Sequence, residues 1–577
     1  GTHTEPINNS EENIDNTETD TGNLNTNNTQ NNTSEDNLHE SNTVDNNSTQ
    51  QEDKGPWILY DVVSKEEYPE RVSLHAVKPD GSENTFIDDL EYSKLKANYK
   101  ISPDNKKVAY VQKGRYGDYK IILCNLNGTE KVQLTSVKNW GILEWSPDST
   151  KILFSNIKEV DVGAVLPGTY RELYVINTDG TNMIKISGDE IGLTIEGGKS
   201  GIKSYTWSPD SRKIAYTLDN YDKDVYKIAS TMYIVQADGN SKLCVNDLII
   251  SEGDIKKFKW SNNSAWIAIG VVNVSDISSA KRLYAIKSDG SETILLDYKI
   301  FDYVSTMVRL GVGYKNFEWV SDSTYLIYES IHDIQNIDGS VNNYCSITSV
   351  HIESRLNTIL QSRKLPEEAY IHMTYRVSPN DNELLITANN PDNVDMTELY
   401  TVNTDGSHFK IVLTMNEISY NSPKWFNNST ILYIARNQSN NIKELYSINK
   451  DGSNKKKIST EVEDGYEVKY FKIFDNKIIY QEGTTYKTKL YYTDICGSFH
   501  NLVFSTTDTF ESNIERSYLL TDTYFIYIGM TKKEYNSKFK ELYSIPLNGS
   551  LESMKISHDL QGELYPYISL NGFYVIN

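Results

Sequence analysis

The sequence predicts an all-β protein: a β-propeller of about ten four-stranded antiparallel blades, arranged as one wide ring or two tandem rings and preceded by a disordered tether. Two short lines of sequence that alternate about ten times predict the blades, and a first tenth of different composition predicts the tether.

The first line reads LYTVNTDGSHF from Leu399 and LYSINKDGSNK from Leu445. It recurs as LYVINTDG at Leu173, MYIVQADG at Met232, LYAIKSDG at Leu283 and LYSIPLNG at Leu542, with degenerate copies at Leu74, Ile121, Ile347 and Leu490. An apolar strand that enters Asp-Gly or Asn-Gly and leaves as another strand is a hairpin, because Gly supplies the positive φ that a two-residue turn demands. The second line reads WSPDSTKILFS from Trp145, WSPDSRKIAYT from Trp207, WSNNSAWIAIG from Trp260, WVSDSTYLIYE from Trp319 and WFNNSTILYIA from Trp425. Ile101 and Val377 replace the Trp in two further copies, and weaker forms stand at Phe471, Tyr518 and Tyr567. It too is a hairpin, with Ser-Pro-Asp or Asn-Asn at the turn.

Each unit therefore holds four strands, A to D, with the Ser-Pro-Asp turn between A and B and the Asp-Gly turn between C and D. The turn glycines run from Gly81 to Gly549 over nine intervals, a mean period of 52 residues, with Ser354 standing in between Gly290 and Gly406. Four strands at this period read as a propeller blade.

WSPDSRKIAYT followed by LYxxxxDG resembles the TolB-like propeller repeat, and also the propeller domains attached to prolyl oligopeptidases and dipeptidyl peptidases. The resemblance runs from Trp57 onward and implies a propeller with an envelope-associated role like that of TolB. TolB-like proteins join a smaller propeller to an N-terminal α/β domain, whereas this chain shows no such domain and about ten units. The peptidases add a hydrolase domain with a G-x-S-x-G elbow, and no such string occurs here.

Two domains follow: an acidic Asn/Thr/Ser-rich tether over 1–54 and a propeller region over 55–577, with a two-ring junction, if there are two rings, near 291–318. The tether carries twelve acids against Lys54, half of the net charge of −22, and too few apolar residues to offset the entropy of ordering it. The last residues, LYPYISLNGFYVIN, are expected to supply an A and a B strand that complete a sheet begun near Trp57.

The remaining features exclude function classes. No basic stripe appears beyond Lys455–Lys457, which argues against a nucleic-acid surface. No apolar run is long enough to span a membrane. Cys124, Cys244, Cys345 and Cys496 stand far apart with no metal spacing, and read as small buried hydrophobes. GGKSG at Gly197–Gly201 has neither the spacing nor the following helix of a phosphate-binding loop. The nine histidines form no metal motif, so no metal and no cofactor are expected. Of the 41 tyrosines, the many that sit in the LY pairs on strand C fall to strand packing.

The expected function is that of a non-enzymatic, extracytoplasmic, surface-tethered binding or scaffold module for a protein, peptide or glycan, with a lipid anchor ahead of residue 1 as one means of tethering. The alternative is a propeller hydrolase or lyase whose catalytic groups converge at the central channel mouth. In an antiparallel blade the A–B and C–D turns share one face, and the other face carries the B–C connections and the links between blades. Those segments are long and irregular in units three to six: 156–172, 218–230, 271–282 and 330–344, together with the inter-blade segments that contain Gly197–Gly201 and Tyr303 and Arg309. They place the expected binding residues, Tyr170, Arg171, Tyr221, Tyr226, Tyr303, Arg309 and His332, on that face, because long loops on a rigid scaffold gather binding groups and aromatic and Arg side chains anchor interfaces.

Overall fold

The computed structural model describes residues 57–576, apart from 65–70, 161–167, 189–200, 223–226, 250–253, 273–280, 298–316, 336–340, 365–372, 506–517, 548–553, 558–565 and breaks of up to three residues. The tether expected over 1–54 lies outside the described residues.

Ten four-stranded antiparallel sheets make up the described chain. In blade one the inner strand A is Pro566–Ile576, followed by B (Trp57–Ser64), C (Arg71–Val77) and D (Thr85–Leu90). Blades two to ten follow in chain order, from Tyr99–Ile101 to Met554–Lys555. The chain end thus completes the first sheet, as expected, but as one strand rather than two. It pairs with strand B from Trp57–Ile576 to Ser64–Pro566, and the Asn-Gly read as a turn falls in a register shift opposite Tyr60.

Apolar clusters settle the number of rings. Ten buried clusters each join two consecutive blades. One of them joins blade ten (Ile526, Leu542, Ile556) to blade one (Ile58, Tyr60, Val77). Blades five and six, on either side of residues 298–316, share another, built on Leu283, Phe317, Trp319 and Leu326. Ten blades and ten shared cores make a single closed ring, with strand A of each blade toward the central channel. Exposed large hydrophobics such as Phe86, Leu295, Leu356 and Ile411 mark the D strands as the outer edge.

The Trp-Ser-Pro-Asp-Ser line owes its repetition to contacts with both neighbouring blades. Trp145 donates its indole N–H to Lys100 O of blade two at 2.9 Å, and Trp319 and Trp425 repeat this toward Lys259 O and Arg376 O. Ser146 Oγ donates to Asp148 Oδ1 at 2.6 Å and accepts from the Lys151 amide, which closes the turn. The Asp148 amide then donates to Ser211 Oγ in the next blade at 2.9 Å. The same bond joins Asp104 to Ser149, Asp210 to Ser264 and Asn263 to Ser323, all at 3.0 Å. Each accepting Ser sits at φ near +61°, which turns its hydroxyl toward the preceding blade.

Most of the Asp-Gly and Asn-Gly turns are three-residue loops rather than the two-residue turns expected, and those at Gly239 and Gly290 span four residues. Asn177 N–H donates to Thr181 O at 3.0 Å and Gly180 N–H to Asn177 O at 2.9 Å, leaving Gly180 at φ +83° in a bulge position. The carboxylate of Asp179 accounts for the extra residue, because it accepts from both the amide and the hydroxyl of Thr181. These turns also pack on the preceding blade. A Cβ on Gly406 would lie 2.6 Å from Thr358 Cγ2, and one on Gly81 3.2 Å from Ile556 of blade ten.

Tyrosines fill the blade interiors as expected. Strand B holds buried Tyr60, Tyr110, Tyr216, Tyr328, Tyr433 and Tyr480 at one repeated position. Their cross-strand partners stack on them in the pairs Tyr433–Tyr446 and Tyr480–Tyr491, with centroids 5.6 and 5.3 Å apart. The cysteines follow expectation in part. Cys124 and Cys345 are buried, Cys244 is half-buried, and Cys496 is exposed because it belongs to the C–D turn of blade nine, outside the strand core.

Candidate functional site

On the B–C face, four blades depart from the rest in strand length. Strands B and C have 7 or 8 residues each in most blades. They have 10 each in blade three (Lys151–Val160, Gly168–Asn177), blade four (Lys213–Asp222, Lys227–Gln236) and blade ten (Tyr524–Lys533, Ser537–Pro546). Blade six has 11 each (Tyr325–Gln335, Val341–His351). Three further residues at about 3.3 Å each carry such a hairpin roughly 10 Å beyond a short one.

This corrects the reading of irregular loops. The segments 156–172, 218–230 and 330–344 are mostly ladder-paired ribbon, in registers such as Lys158–Tyr170, Tyr221–Ile228 and His332–Tyr344. Alternating polar and apolar residues pair as readily beyond a sheet as within it, which the sequence reading overlooked. The long hairpin of blade ten was not among the segments named, because its entry turn at Tyr518 departs from the repeat and hid the length of TKKEYNSKF. The blade-five connection over 273–280 lies outside the described residues.

Among the expected binding residues, Tyr170 and Arg171 lie side by side on strand C of blade three and so face opposite sides of the ribbon. Tyr170 is half-buried and Arg171 exposed. Arg171 also bridges blades, since its Nη1 donates to Ile202 O of blade four at 3.1 Å and its guanidinium lies over Gly141. Tyr221 and His332 take strand positions near their hairpin tips. Tyr226, Tyr303 and Arg309 lie outside the described residues.

On strand C of blades three, seven and eight stands a set of buried acids that the sequence reading passed over. Glu172, Glu398 and Glu444 each precede the Leu-Tyr pair on strand C, and the following tyrosine donates to each carboxylate. Lys158 and Lys185 reach Glu172 at 2.8 and 2.9 Å, Arg363 reaches Glu398 at 3.0 Å, and Lys457 reaches Glu444 at 2.8 Å. Burial pushes the Glu172 carboxyl up, but its bonds to Lys158, Lys185 and Tyr174 outweigh that and hold it at about 2. The recurrence of ELY at Glu172, Glu398 and Glu444 was the available signal.

Along the channel, the residue before the Trp position of strand A forms a polar layer. Lys100 meets Glu144 of the next blade at 3.4 Å, and Lys259 meets Glu318 at 3.8 Å. Near Glu318, on strand B of blade six, Glu329 is 5% exposed, and burial pushes its carboxyl up to about 8 against the pull of the Lys257 ammonium. No cluster of three metal-ligating side chains occurs among the described residues, and no described helix is long and apolar enough to cross a membrane.

Fold and faces together define a closed ten-bladed propeller with a repetitive turn face and ribbons raised on the opposite face. No protein-family model matches the chain, and no curated protein matches it in sequence. Solved structures similar to it include dipeptidyl peptidase 4 of Porphyromonas gingivalis, 14% identical over 78% of this chain and 59% of that one, with a TM-score of 0.39. Oligogalacturonate lyase from Vibrio parahaemolyticus is 10% identical over 62% and 86%, with a TM-score of 0.31. TolB from Acinetobacter baumannii is 13% identical over 62% and 81%, with a TM-score of 0.23. The chain thus spans 59% of the peptidase's length, and the fold assignment rests on the strand pairing and the closed set of cores.

Proposed function

We propose that the protein is a non-enzymatic binding module that presents the ribbons of its B–C face to a protein, peptide or glycan outside the cytoplasm. One observation carries this reading. The repeated turn residues are engaged in joining blades, while blades three, four and six raise their B–C hairpins beyond the sheet on one arc of the ring and blade ten raises its own apart from them. A ribbon held by its own ladder, with its root fixed by ion pairs such as those of Glu172, offers a partner a surface already ordered, which lowers the entropy lost on binding. The acidic N-terminal segment suits a tether to a surface.

The test places a photo-crosslinking residue at position 170, on the ribbon, or at position 182, in a C–D turn, and illuminates the full chain on the surface of its source cells. Adducts from position 170 alone support the reading. Equal adduct yields from both positions, or adducts from 182 alone, reject it.

A second reading, catalysis at the channel mouth, draws on Glu329, because a carboxyl raised to about 8 can carry a proton at neutral pH. A purely passive Glu329 makes a definite prediction. Its proton is held more tightly in the folded state, so stability is full below about 4.5 and falls as pH rises to about 8. Glu329→Gln then gains on the order of 5 kcal/mol over the parent at pH 9 and nothing at pH 4. Loss of a hydrolase or lyase activity in that variant, with stability gained, would favour the enzyme instead.

A further inference from the structure

The inner strands of blades seven, eight and nine break the charge pattern of the channel layer. In blades two and three, and again in five and six, a cation on one inner strand meets a carboxylate on the next. In blades seven to nine the same position holds Arg376, Lys424 and Lys472, a cation on each of three consecutive strands. Their register is fixed by the pairs beside them, Val377–Leu384, Trp425–Ile431 and Ile473–Ile478. Each of the first two leans on the next blade: Arg376 Nε donates to Pro423 O at 2.9 Å and Lys424 Nζ to Phe471 O at 3.1 Å. Lys424 Nζ also lies 5.1 and 4.8 Å from the ring centroids of Tyr470 and Phe471.

Lys424 is the centre of this group. Burial first, and then repulsion from Arg376 and Lys472, pull its ammonium down to about 8. An inward-facing lysine between two other cations is destabilised unless a counter-charge relieves it. Two residues earlier, on the same side of strands A of blades seven and nine, stand Thr374 and Tyr470, whereas the Ser422 hydroxyl is held by Ile434. Lys472 Nζ lies 4.6 Å from the Phe474 ring centroid, and three cations on adjoining strands, close enough to repel one another, suit a group with three acceptor oxygens and about two negative charges better than a singly charged carboxylate.

We infer that the channel wall of blades seven to nine binds a tetrahedral oxyanion, a phosphate or sulfate ester group, between Arg376, Lys424 and Lys472. This goes beyond the ribbon-face reading and stands independently of it, because it concerns the channel and has its own ligand. The chain's net charge is negative, so anion binding here is a local property of this wall and weakens as salt rises.

The experiment titrates the full chain calorimetrically with inorganic phosphate, inorganic sulfate and acetate at low ionic strength. Phosphate and sulfate are expected to bind at least tenfold more tightly than acetate. If sulfate matches phosphate, the site takes either ester; if phosphate alone binds, it is a phosphate site, and both results support the inference. Lys424→Met is expected to weaken binding at least tenfold, while Lys100→Met, in the same layer but paired with Glu144, leaves it unchanged. A second readout needs no variant. Sulfate does not titrate above pH 7, so its affinity for the parent is expected to fall about tenfold per pH unit above about 8, as Lys424 loses its proton. Acetate binding as tightly as phosphate, undiminished binding in Lys424→Met, or a sulfate affinity flat to pH 10 would each overturn the inference.

Discussion

The turn face and the B–C face are built from the same strands, yet one repeats its residues and the other does not. On the turn face the repeated Ser and Asp bond within their own turn or to the adjoining blade, as do Trp145, Trp319 and Trp425, and the geometry of a ring presents that demand again from blade to blade. On the B–C face most hairpins complete their bonds within their own ladder, so their length and side chains are free to differ. Repetition in this sequence therefore records ring assembly, and departure from repetition marks freedom from it.

The largest effect that sharpens this comparison is expected at ring closure. Removing residues 566–576 takes away the inner strand of blade one and uncovers the cluster shared with blade ten. The expected loss is on the order of 5 kcal/mol or more, read by chemical denaturation against the full chain. A truncated chain that unfolds at the parent's midpoint would show that the ring does not depend on this strand.

A glycine pair separates contact from conformation. Gly406→Ala adds a Cβ that meets Thr358 of the preceding blade at φ +86°, whereas Gly465→Ala meets nothing within 4 Å at φ +82°. Both carry the positive-φ penalty of about 1 kcal/mol, and Gly406→Ala is expected to cost about 2 kcal/mol more. Equal losses would mean that the turns do not press on their neighbours.

The buried acids give the next effect. Because the Glu172 carboxyl is held at about 2, its stabilisation is complete above about 4.5 and is lost as pH falls toward 2. Glu172→Gln is expected to be about 2 kcal/mol less stable than the parent at pH 7, with the gap closing near pH 2. A gap independent of pH would assign the loss to packing instead.

The smallest effect belongs to the ribbon face. Replacing residues 159–169 by Asn-Gly, so that Lys158 and Tyr170 flank a two-residue turn, removes the tip and leaves the root pairs in place. Stability is expected to change by less than about 1 kcal/mol, since the tip lies beyond the shared cores. A loss as large as that of Gly406→Ala would erase the distinction between the faces.

Much of the architecture was legible because it rests on local pattern. Asp-Gly between alternating apolar residues, and Trp-Ser-Pro-Asp before KILFS, name hairpins without reference to distant residues. The sheet shared by the two ends of the chain was expected, but one ring rather than two was not legible, because it depends on the core that blades five and six share on either side of residues 298–316. Nor were the ribbons, since NIKEVDV reads as loop unless its partner strand is known to run beside it. The channel cations escaped for a different reason. Arg376, Lys424 and Lys472 are 48 residues apart in sequence, each unremarkable in its own strand, and only the blade register sets them side by side.

The most direct measurement of the central claim is amide hydrogen exchange at the Ser-Pro-Asp turns of the full chain. The amides of Asp104, Asp148, Asp210 and Asn263 lie in surface turns, where exchange is ordinarily fast, yet each donates to a Ser of the next blade. They are expected to be protected nearly as strongly as the strand amides, and Ser211→Ala is expected to release Asp148 while leaving Asp104 protected. Exchange of all four at the rate of an open loop, or no selective release of Asp148, would contradict the account of a ring bonded blade to blade through its repeated turns.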